Sequence, residues 1–308
     1  MATDENAGQN WEQVRRNRHP DFKTVEASRP PFDASTTFTL TQTPDPNWSF
    51  GSGANNILTD SDRSHKHRVI DPHASGRPSA FNYKLLISAI VPRPIALLST
   101  RSADGTTTNL APFSYFSVIG HDPPLFTIGF ATPAGSGPGY VKDSLRNLRD
   151  RGECVINLVS EGFVEAANST SINTPYGMSE WDVSGLTPAY DCETVGCARV
   201  REAVFAIEGK LASVQEFESR ANPGRTATTL AVVEGTRFWL RDDAVNEEGT
   251  LIDPKILRPI SRMGGITYGR VIAGLELPRF DFEKDIGGAE GMNKLKSKQQ
   301  TNGTSESS

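Results

Sequence analysis

The chain has 308 residues, of which 36% are hydrophobic, and a formal net charge of -5. This composition is typical of a soluble globular protein, and the acidic balance argues against a nucleic-acid partner, because affinity for a phosphate backbone rests on clustered Lys and Arg. The chain contains no apolar run of membrane-spanning length, and its start, MATDENAGQNWEQ, lacks the layout of a secretory signal. We therefore expect a cytoplasmic protein with no nucleic-acid and no membrane partner.

The first 82 residues are polar and rich in Pro, Asn, Asp and Ser, and they predict an extended N-terminal arm over residues 1–82. No sustained helix or strand period runs through them, apart from a short helical pattern near WEQVRRNR. The arm nevertheless carries scattered aromatic residues, which a segment without a core partner seldom does. These residues are Phe22, Phe32, Phe38, Trp48 and Phe50.

Residues 83–282 have a mostly β pattern and predict one domain. Five runs rich in β-branched and aromatic residues are bounded by turn residues: IALLSTR, PLFTIGFA, ECVINLVS, AVFAIEGKLASVQEF and TTLAVVEGTRFWLRD. Two helical segments lie between strands, one after GPGYV and one over SEGFVEAANSTS. Strands that outnumber crossover helices favour a mainly β fold, a β-barrel with α crossovers, over a doubly wound sheet. Residues 283–308 lack such anchors and predict a mobile tail.

The first helical segment, GPGYVKDSLRNLRDRGE, is predicted to form a helix from about Asp143 to Arg151. Asp143 is a candidate N-cap, and Leu145 and Leu148 supply an apolar stripe at helical spacing. Gly152 is placed to end the helix in the left-handed conformation.

Lys142 and Ser144 flank the predicted cap, at the end of the helix where N–H groups are free. A lysine there opposes the helix dipole, and a bound phosphate would reconcile the two by accepting from the backbone N–H groups and the Ser144 hydroxyl. The simpler interpretation is that Lys142 is solvated and Ser144 is merely tolerated in the first turn. The segment alone favours that simpler interpretation.

Few other residues suggest a reaction. Cys154, Cys192 and Cys197 fit no zinc pattern, and His65 and His67 have no second ligand cluster near them in the sequence, so no metal site is predicted. The chain has no nucleophile elbow, no Rossmann fingerprint after a strand and no Walker lysine. His121, in the turn GHDPP, could donate a proton, although a turn histidine is more often solvated.

The segment Val91–Ala131 carries the remaining candidates. A strand ends at Ser99 and Thr100, and the next segment begins at Asn109 and carries Ser114 among aromatic residues. Small hydroxyls and an amide beside flat aromatic surfaces suit a planar ligand with polar edges. Each residue taken separately is better explained by a hydrogen bond at a turn or a strand end.

These segments together resemble the flavin reductase-like, FMN-binding split-barrel family. The matching motifs occur in the family's order between about Tyr83 and Arg279: VPRPIALLST, NLAPFSYF, DPPL, KDSLRNLRDRGECVINLVS, AANSTS, GLTP and LRPISRMGGITYGRV. The resemblance implies a six-stranded antiparallel split barrel and a homodimer with FMN near the subunit interface. The arm looks like the N-terminal extension of the family's fungal-type members, and we expect it to wrap the barrel.

The resemblance also assigns roles by position. Lys142, Asp143 and Ser144 would form the phosphate end of the FMN site, with the Asp143 carboxylate capping the helix. Other cofactor-binding residues would come from the first two β segments: Arg93, Pro94, Ser99, Thr100, Asn109, Ala111, Pro112 and Ser114. His121 and Tyr268 are the candidate catalytic residues, as proton donors, and the late motif around Arg262 and Gly265 would close over the flavin or the partner subunit.

The expected activity is that of an FMN-dependent oxidoreductase that takes hydride from NAD(P)H and passes electrons to free flavin, oxygen or a small organic substrate. Flavin chemistry requires no protein nucleophile, which is consistent with the missing catalytic motifs. Two alternatives stay open. One is a non-catalytic flavin-binding or haem-binding split barrel, although the barrel segment lacks a well-placed haem ligand. The other is an interaction protein in which the arm is the functional part.

Overall fold

The computed structural model describes residues 20–133, 136–137 and 139–305. They form two units. The first contains the described residues up to Thr37 together with Asp71–Val271, and the second contains Phe38–Ile70 together with the residues from Ile272 onward. No helix of the described residues is both long and apolar enough to cross a bilayer, and no cluster of His, Cys, Asp and Glu among them could hold a metal ion.

The strands match the predicted β runs and add several short ones. They are β1 (Thr39–Thr41), β2 (Ala96–Arg101), β3 (Thr108–Phe113), β4 (Phe116–His121), β5 (Pro124–Ala131), β6 (Glu153–Leu158), β7 (Pro188–Ala189), β8 (Arg199–Val200), β9 (Phe205–Glu218), β10 (Thr226–Leu240), β11 (Ile260–Arg262), β12 (Tyr268–Arg270) and β13 (Ala273–Leu275).

The α-helices are α1 (Phe22–Ala27), α2 (Asp60–Ser64), α3 (Ser79–Ala89), α4 (Asp143–Arg151), α5 (Val164–Ser169), α6 (Glu180–Ser184), α7 (Pro254–Leu257) and α8 (Gly288–Ser305). Short 3-10 turns cover Glu161–Phe163 and Asp242–Ala244, and a π-helical turn covers Phe282–Ile286. The helix predicted over Asp143–Arg151 is confirmed as α4, and Gly152 ends it with φ 73°.

The main sheet of the first unit has seven antiparallel strands in the order β3-β2-β6-β9-β10-β5-β4. This is one strand more than the six that the family resemblance implied. The two edge strands, β3 and β4, are separated in the chain only by Ser114 and Tyr115. Two residues bridge no more than about 11 Å, so the sheet curls until its edges approach each other. The predicted mainly β barrel with α crossovers is therefore confirmed.

The barrel interior is apolar, and α4 closes it. Alternate side chains of β5, such as Ile128, are fully buried, as the pleat of a half-buried strand requires, whereas β2 is buried on both faces and contributes Leu98 to this core. Phe113 and Phe130 meet inside with ring centroids 4.7 Å apart. The helix α4 links β5 to β6, which are not neighbours in the sheet, and its Leu148 joins the same core. The packing thus fixes the position of both ends of α4.

Part of the predicted arm lies against this unit. The guanidinium of Arg270 donates to the carbonyl oxygens of Asp33 (3.0 Å) and Thr36 (2.9 Å) and stacks on the Phe32 ring at 4.3 Å. Arg258 donates to the carbonyl oxygen of Ala34 at 3.3 Å. These contacts hold residues 32–36 on the same unit as the sheet.

The second unit contains a short parallel pair, β1 with β13. Beside it, Trp48, Phe50 and Phe280 form an aromatic cluster with ring centroids 4.9 to 6.4 Å apart. Trp48 and Phe50 of the arm therefore have aromatic packing partners, whereas Phe22 is 66% exposed. The described C-terminal residues include α8, and the mobility predicted for residues 283–308 stays a prediction.

Candidate functional site

The N-terminus of α4 is open. Lys142, in an extended conformation, is the N-cap, and no side chain accepts a hydrogen bond there. The first bond of the helix runs from the N–H of Arg146 to the Lys142 carbonyl oxygen (2.9 Å), so the three preceding N–H groups have no partner within the helix. The prediction that Asp143 caps α4 is wrong, because Asp143 is already the first helical residue. The free N–H groups and the helix dipole together favour an anion.

Lys142 is half-buried without an anionic partner among the described residues. None of the ion pairs found there includes it. Burial lowers the pKa of the Lys142 ammonium, and the charge of Asp143 opposes that shift only in part. Burial also raises the pKa of the Asp143 carboxyl. A desolvated cation beside free N–H groups is stabilised by an added anion.

Several predicted residues converge on the barrel side of α4. Asn109 on β3 lies opposite Thr100 on β2, and both are buried. The Asn147 amide donates to the Thr100 hydroxyl at 3.2 Å, and the Ser144 hydroxyl makes a long contact of 3.4 Å to Oδ1 of Asn109. Tyr176 donates to Oδ1 of Asn147 at 3.1 Å. This polar cluster anchors the first two turns of α4 to the edge of the sheet.

Lys142 also lines a cavity of about 920 Å³ in the first unit, hereafter the large cavity. Three more of the predicted cofactor residues line it, namely Arg93, Pro112 and Ser114. A second, small cavity of about 300 Å³ shares Lys142 and Arg225 with it. Ligand pockets typically measure roughly 300 to 1,000 Å³, so the large cavity has room for a flavin-sized molecule.

The charged side chains that line the large cavity in the described part of the chain are basic. Five basic residues line it: Arg77, Arg93, Lys142, Arg225 and Arg262. In the described part of the chain, no aspartate or glutamate lines it. The arrangement therefore favours ligands that carry negative charge.

The Arg93 guanidinium is 7% exposed and holds the wall of the large cavity together. Its terminal nitrogens donate to the carbonyl oxygens of Ile87 (2.7 Å), Ile90 and Met263 (2.9 Å). Its Nε has no partner among the residues that the structure describes. All of its acceptors are neutral carbonyl groups, so its charge adds to the positive potential of the cavity.

The other predicted cofactor residues do not line the large cavity. Ser99 is buried on β2, Ala111 is half-buried on β3, and Pro94 is exposed just before β2. Asp143 and Ser144 lie in the first turn of α4, next to Lys142. The structure thus brings some of the predicted residues to the large cavity and others, Thr100, Asn109 and Ser144, to the polar cluster behind it, whereas Pro94, Ser99 and Ala111 belong to neither.

The two candidate proton donors also lie off the large cavity. His121 is exposed at the far end of β4, about 20 Å along the strand from Tyr115, which lines the cavity. The Tyr268 hydroxyl donates to Oδ1 of Asn168 at 2.7 Å, and burial raises the pKa of this phenol. Both residues remain predictions as catalytic groups.

Sequence reasoning missed two basic residues of the large cavity. Arg77 precedes α3, which the sequence did not predict, and Arg225 follows a turn in the loop between β9 and β10. Neither belongs to a motif. Only the curl of the sheet, which joins loops far apart in the chain, brings them to Lys142.

A flavin nucleotide fits these residues. The open helix end and the unpaired Lys142 match a phosphate, while Pro112, Phe113 and Tyr115 offer apolar and aromatic surface to a ring system. The match to known proteins supports the same group. A family model described as a flavin reductase like domain matches residues 88–257, more than half of the chain. The chain belongs to the flavin reductase-like family.

Relatives and solved structures agree with the family. An uncharacterized protein of Halalkalibacterium halodurans is 35% identical over 61% of this chain and 86% of its own length, and one of Deinococcus radiodurans is 34% identical over 67% and 87%. Nitrilotriacetate monooxygenase component B from Bacillus cereus has a TM-score of 0.61 and 29% identity over 71% of this chain and all of its own.

Two further solved structures are similar. Pseudomonas fluorescens 2-nitrobenzoate 2-nitroreductase has a TM-score of 0.59 and 27% identity, with 70% of this chain and 98% of that one covered. A Shewanella frigidimarina protein with a split barrel domain, 21% identical with a TM-score of 0.54 over 70% of this chain and 100% of its own, shares the fold. Membership of the flavin reductase-like family supports flavin binding and an oxidoreductase type of enzyme.

Proposed function

We propose that the chain is an FMN-dependent NAD(P)H oxidoreductase. The observation that carries this proposal is the open N-terminus of α4, where the unpaired, half-buried Lys142 lines a cavity of about 920 Å³ in a chain of the flavin reductase-like family. FMN, when bound, supplies a ring that accepts a hydride from NAD(P)H, so the protein's part is to bind, orient and exclude water.

The residues of the large cavity would divide this work. Lys142 and the first N–H groups of α4 would hold the phosphate, and Arg225, which lines both cavities with Lys142, would add a second positive charge there. Pro112, near the end of β3, and Ser114, between β3 and β4, would contact the ring or ribityl portion. The hydrogen bonds of Asn147 and Asn109 behind α4 would keep the phosphate end in place.

The electron acceptor is free flavin, oxygen or a small organic substrate. Proteins of similar structure carry names that differ in this respect, a monooxygenase component and a nitroreductase. Because His121 and Tyr268 lie off the large cavity, we propose that hydride transfer does not depend on them. His121→Gln and Tyr268→Phe should change the rate of flavin reduction by less than about twofold, and a loss of tenfold or more would give the residue a catalytic role.

We also propose a homodimer. Exposed apolar side chains on β4 and α3 support it, including Val118 (63% exposed), Ile119 (56%) and Leu86 (51%), since large exposed apolar patches mark interaction sites. Light scattering after size-exclusion chromatography should give twice the chain mass, and a single chain mass at micromolar concentration would contradict the dimer.

The proposed reaction is tested by mixing FMN-loaded protein with NADH or NADPH without oxygen and following the flavin absorbance near 450 nm. Bleaching faster than that of free FMN under the same conditions supports an enzyme. Tight FMN binding without accelerated bleaching would instead favour the non-catalytic flavin-binding alternative.

A further inference from the structure

The large cavity has more positive charge than the flavin phosphate accounts for. Lys142 and Arg225 lie where both cavities meet and are assigned to that phosphate. Arg77, Arg93 and Arg262 line only the large cavity. Among the described residues none of these five basic side chains has an acidic partner.

Seven arginines elsewhere in the first unit form ion pairs with carboxylates: Arg149, Arg151, Arg199, Arg237, Arg241, Arg258 and Arg270. Five other described arginines of this unit, outside the cavity, form none: Arg29, Arg101, Arg146, Arg201 and Arg220. What distinguishes the cavity is that its unpaired basic side chains are gathered in one place. Removing a guanidinium from water is costly unless it is paired. A cavity that gathers several unpaired basic side chains is therefore poised for anionic ligands.

Arg77 is the member of this set with the most freedom to bind a ligand. Arg93 and Arg262 are each held by two or more backbone carbonyl oxygens. The half-buried Arg77 guanidinium lies over the Phe81 ring at 5.8 Å and donates from Nε to Oδ1 of Asn82 at 2.8 Å, while its terminal nitrogens have no hydrogen-bond acceptor among the described residues. These terminal nitrogens can make a bidentate contact with a carboxylate or phosphate.

The start of α3 adds to the positive potential beside Arg77. Pro78 is the N-cap and has no side-chain cap, while Ser79 and Ala80 in the first turn line the large cavity. Among the described residues, the first backbone N–H of α3 that has an acceptor is that of Phe81. It donates to the Pro78 carbonyl oxygen at 2.9 Å. The Ser79 hydroxyl and the partial positive charge of this helix end supplement the Arg77 guanidinium.

We infer that the second ligand of the cavity, which binds together with the flavin, is an organic anion, and that Arg77 sets this specificity by binding its carboxylate or phosphate group. The inference rests on the proposed function, since it concerns the ligand that shares the cavity with FMN. The anionic group comes either from a small organic acceptor or from the phosphates of the pyridine nucleotide.

The test measures ligand binding to FMN-loaded protein by calorimetry and by perturbation of the flavin spectrum, so it does not depend on turnover. Benzoate and its neutral isostere benzamide represent the small acceptor, and NADP+ represents the nucleotide. We expect Arg77→Gln to weaken benzoate, NADP+ or both by about ten- to hundredfold, the range of a charge-assisted contact, and to leave benzamide within about twofold.

A second variant tests the same contact in case Arg77→Gln does not fold. Asn82→Asp keeps the shape of the Arg77 partner and supplies a carboxylate that neutralises Arg77 in place, at the loss of the bond from Nδ2 of Asn82 to the Pro72 carbonyl oxygen (2.7 Å). The folded variant should bind the same anions more weakly, as Arg77→Gln does. Arg29→Gln is the control, because it removes one charge from an exposed arginine outside the cavity. It should leave all affinities unchanged.

The outcomes of this test distinguish a failure of the inference about Arg77 from a failure of the proposed function. If Arg77→Gln loses affinity for benzoate alone, Arg77 contacts the carboxylate of an acceptor. If it loses affinity for NADP+ alone, Arg77 contacts a nucleotide phosphate. Unchanged anion binding in both variants, no binding of either anion, or a tenfold loss of FMN affinity in Arg77→Gln would overturn the inference. Failure of the unmutated protein to bind FMN would instead contradict the proposed function.

Discussion

Replacing Glu161 with Gln should destabilise the first unit much more than the same change at an exposed ion pair. Glu161 accepts from Nε of Arg270 at 2.6 Å and from Nε of Arg258 at 2.8 Å. The side chains are 8% exposed for Glu161, 29% for Arg258 and 21% for Arg270. The two guanidiniums in turn hold residues 33–36 through carbonyl oxygens.

The size of the effect follows from this geometry. A glutamine keeps one acceptor oxygen but turns an NH2 group toward a guanidinium, so at least one charge-assisted bond is lost and both arginines lose their counter-charge. Hydrogen bonds to charged groups contribute about 1.5 to 3 kcal/mol each, and breaking a buried pair costs about 3 to 5 kcal/mol. Because the arginines are partly exposed, we expect a loss of about 2 to 3 kcal/mol in the free energy of unfolding.

The assay is urea unfolding of Glu161→Gln beside Asp243→Asn, which makes the same chemical change in an ion pair whose side chains are 53% and 60% exposed. The control should lose no more than about 1 kcal/mol. Equal losses in the two variants would refute the reasoning.

The pH dependence of Glu161 supplies an independent check. Burial raises the pKa of this carboxyl, but the hydrogen bonds from Arg270 and Arg258 outweigh burial and the net pKa is lowered. The stabilisation is therefore present above the unfolded pKa of about 4.3 and is lost as the pH falls through the folded value. The difference between the unmutated protein and Glu161→Gln should shrink between pH 7 and pH 3, and a difference that grows on acidification would contradict this assignment.

Three further predictions concern α4 and the thiols. Gly152→Ala should cost about 1 kcal/mol in urea unfolding because φ is 73° there, whereas Gly162→Ala should cost less, and equal costs would contradict the conformational argument. Burial raises the pKa of Cys197 to about 12, so Ellman's reagent at pH 8 should modify this thiol only after unfolding, and rapid labelling of the native protein at Cys197 would be inconsistent with its burial. Asp143→Asn removes a negative charge next to Lys142 and should tighten FMN binding about two- to fivefold in a fluorescence titration, and weaker binding would give the carboxylate a supporting role instead.

Elements with a strong local pattern were predictable from the sequence. The run PLFTIGFA became β5 over Pro124–Ala131, and the Leu145 and Leu148 stripe with Gly152 behind it gave the bounds of α4. In each case the local pattern and the tertiary packing agree, because the apolar face that the sequence repeats is the face that the barrel buries.

The helix α3 could not be predicted in this way. Its sequence SAFNYKLLISA distributes apolar and polar residues around the whole helix, with Phe81, Leu85 and Leu86 each more than 40% exposed and only Ile87 buried. Such a segment has no amphipathic period to detect. Its role in the large cavity depends on where the barrel holds it, which no local pattern encodes.

The site was predictable in part. The anion position at α4 followed from a lysine that opposes the helix dipole, but the cap was misplaced by one residue, since the sequence could not decide between Lys142 and Asp143 as the last non-helical residue. Arg77 and Arg225 carry no motif, because loops from distant parts of the chain meet only after the barrel has formed.

The most direct test of the account compares FMN with riboflavin, which lacks the phosphate, in equilibrium titrations of the flavin-free protein. Lys142→Ala is run beside Lys255→Ala, an exposed lysine outside both cavities. FMN should bind more tightly than riboflavin, Lys142→Ala should weaken FMN binding by about tenfold or more and leave riboflavin binding unchanged, and Lys255→Ala should change neither. Equal affinities for FMN and riboflavin, or an FMN affinity that does not respond to Lys142→Ala, would contradict the proposed phosphate site at Lys142.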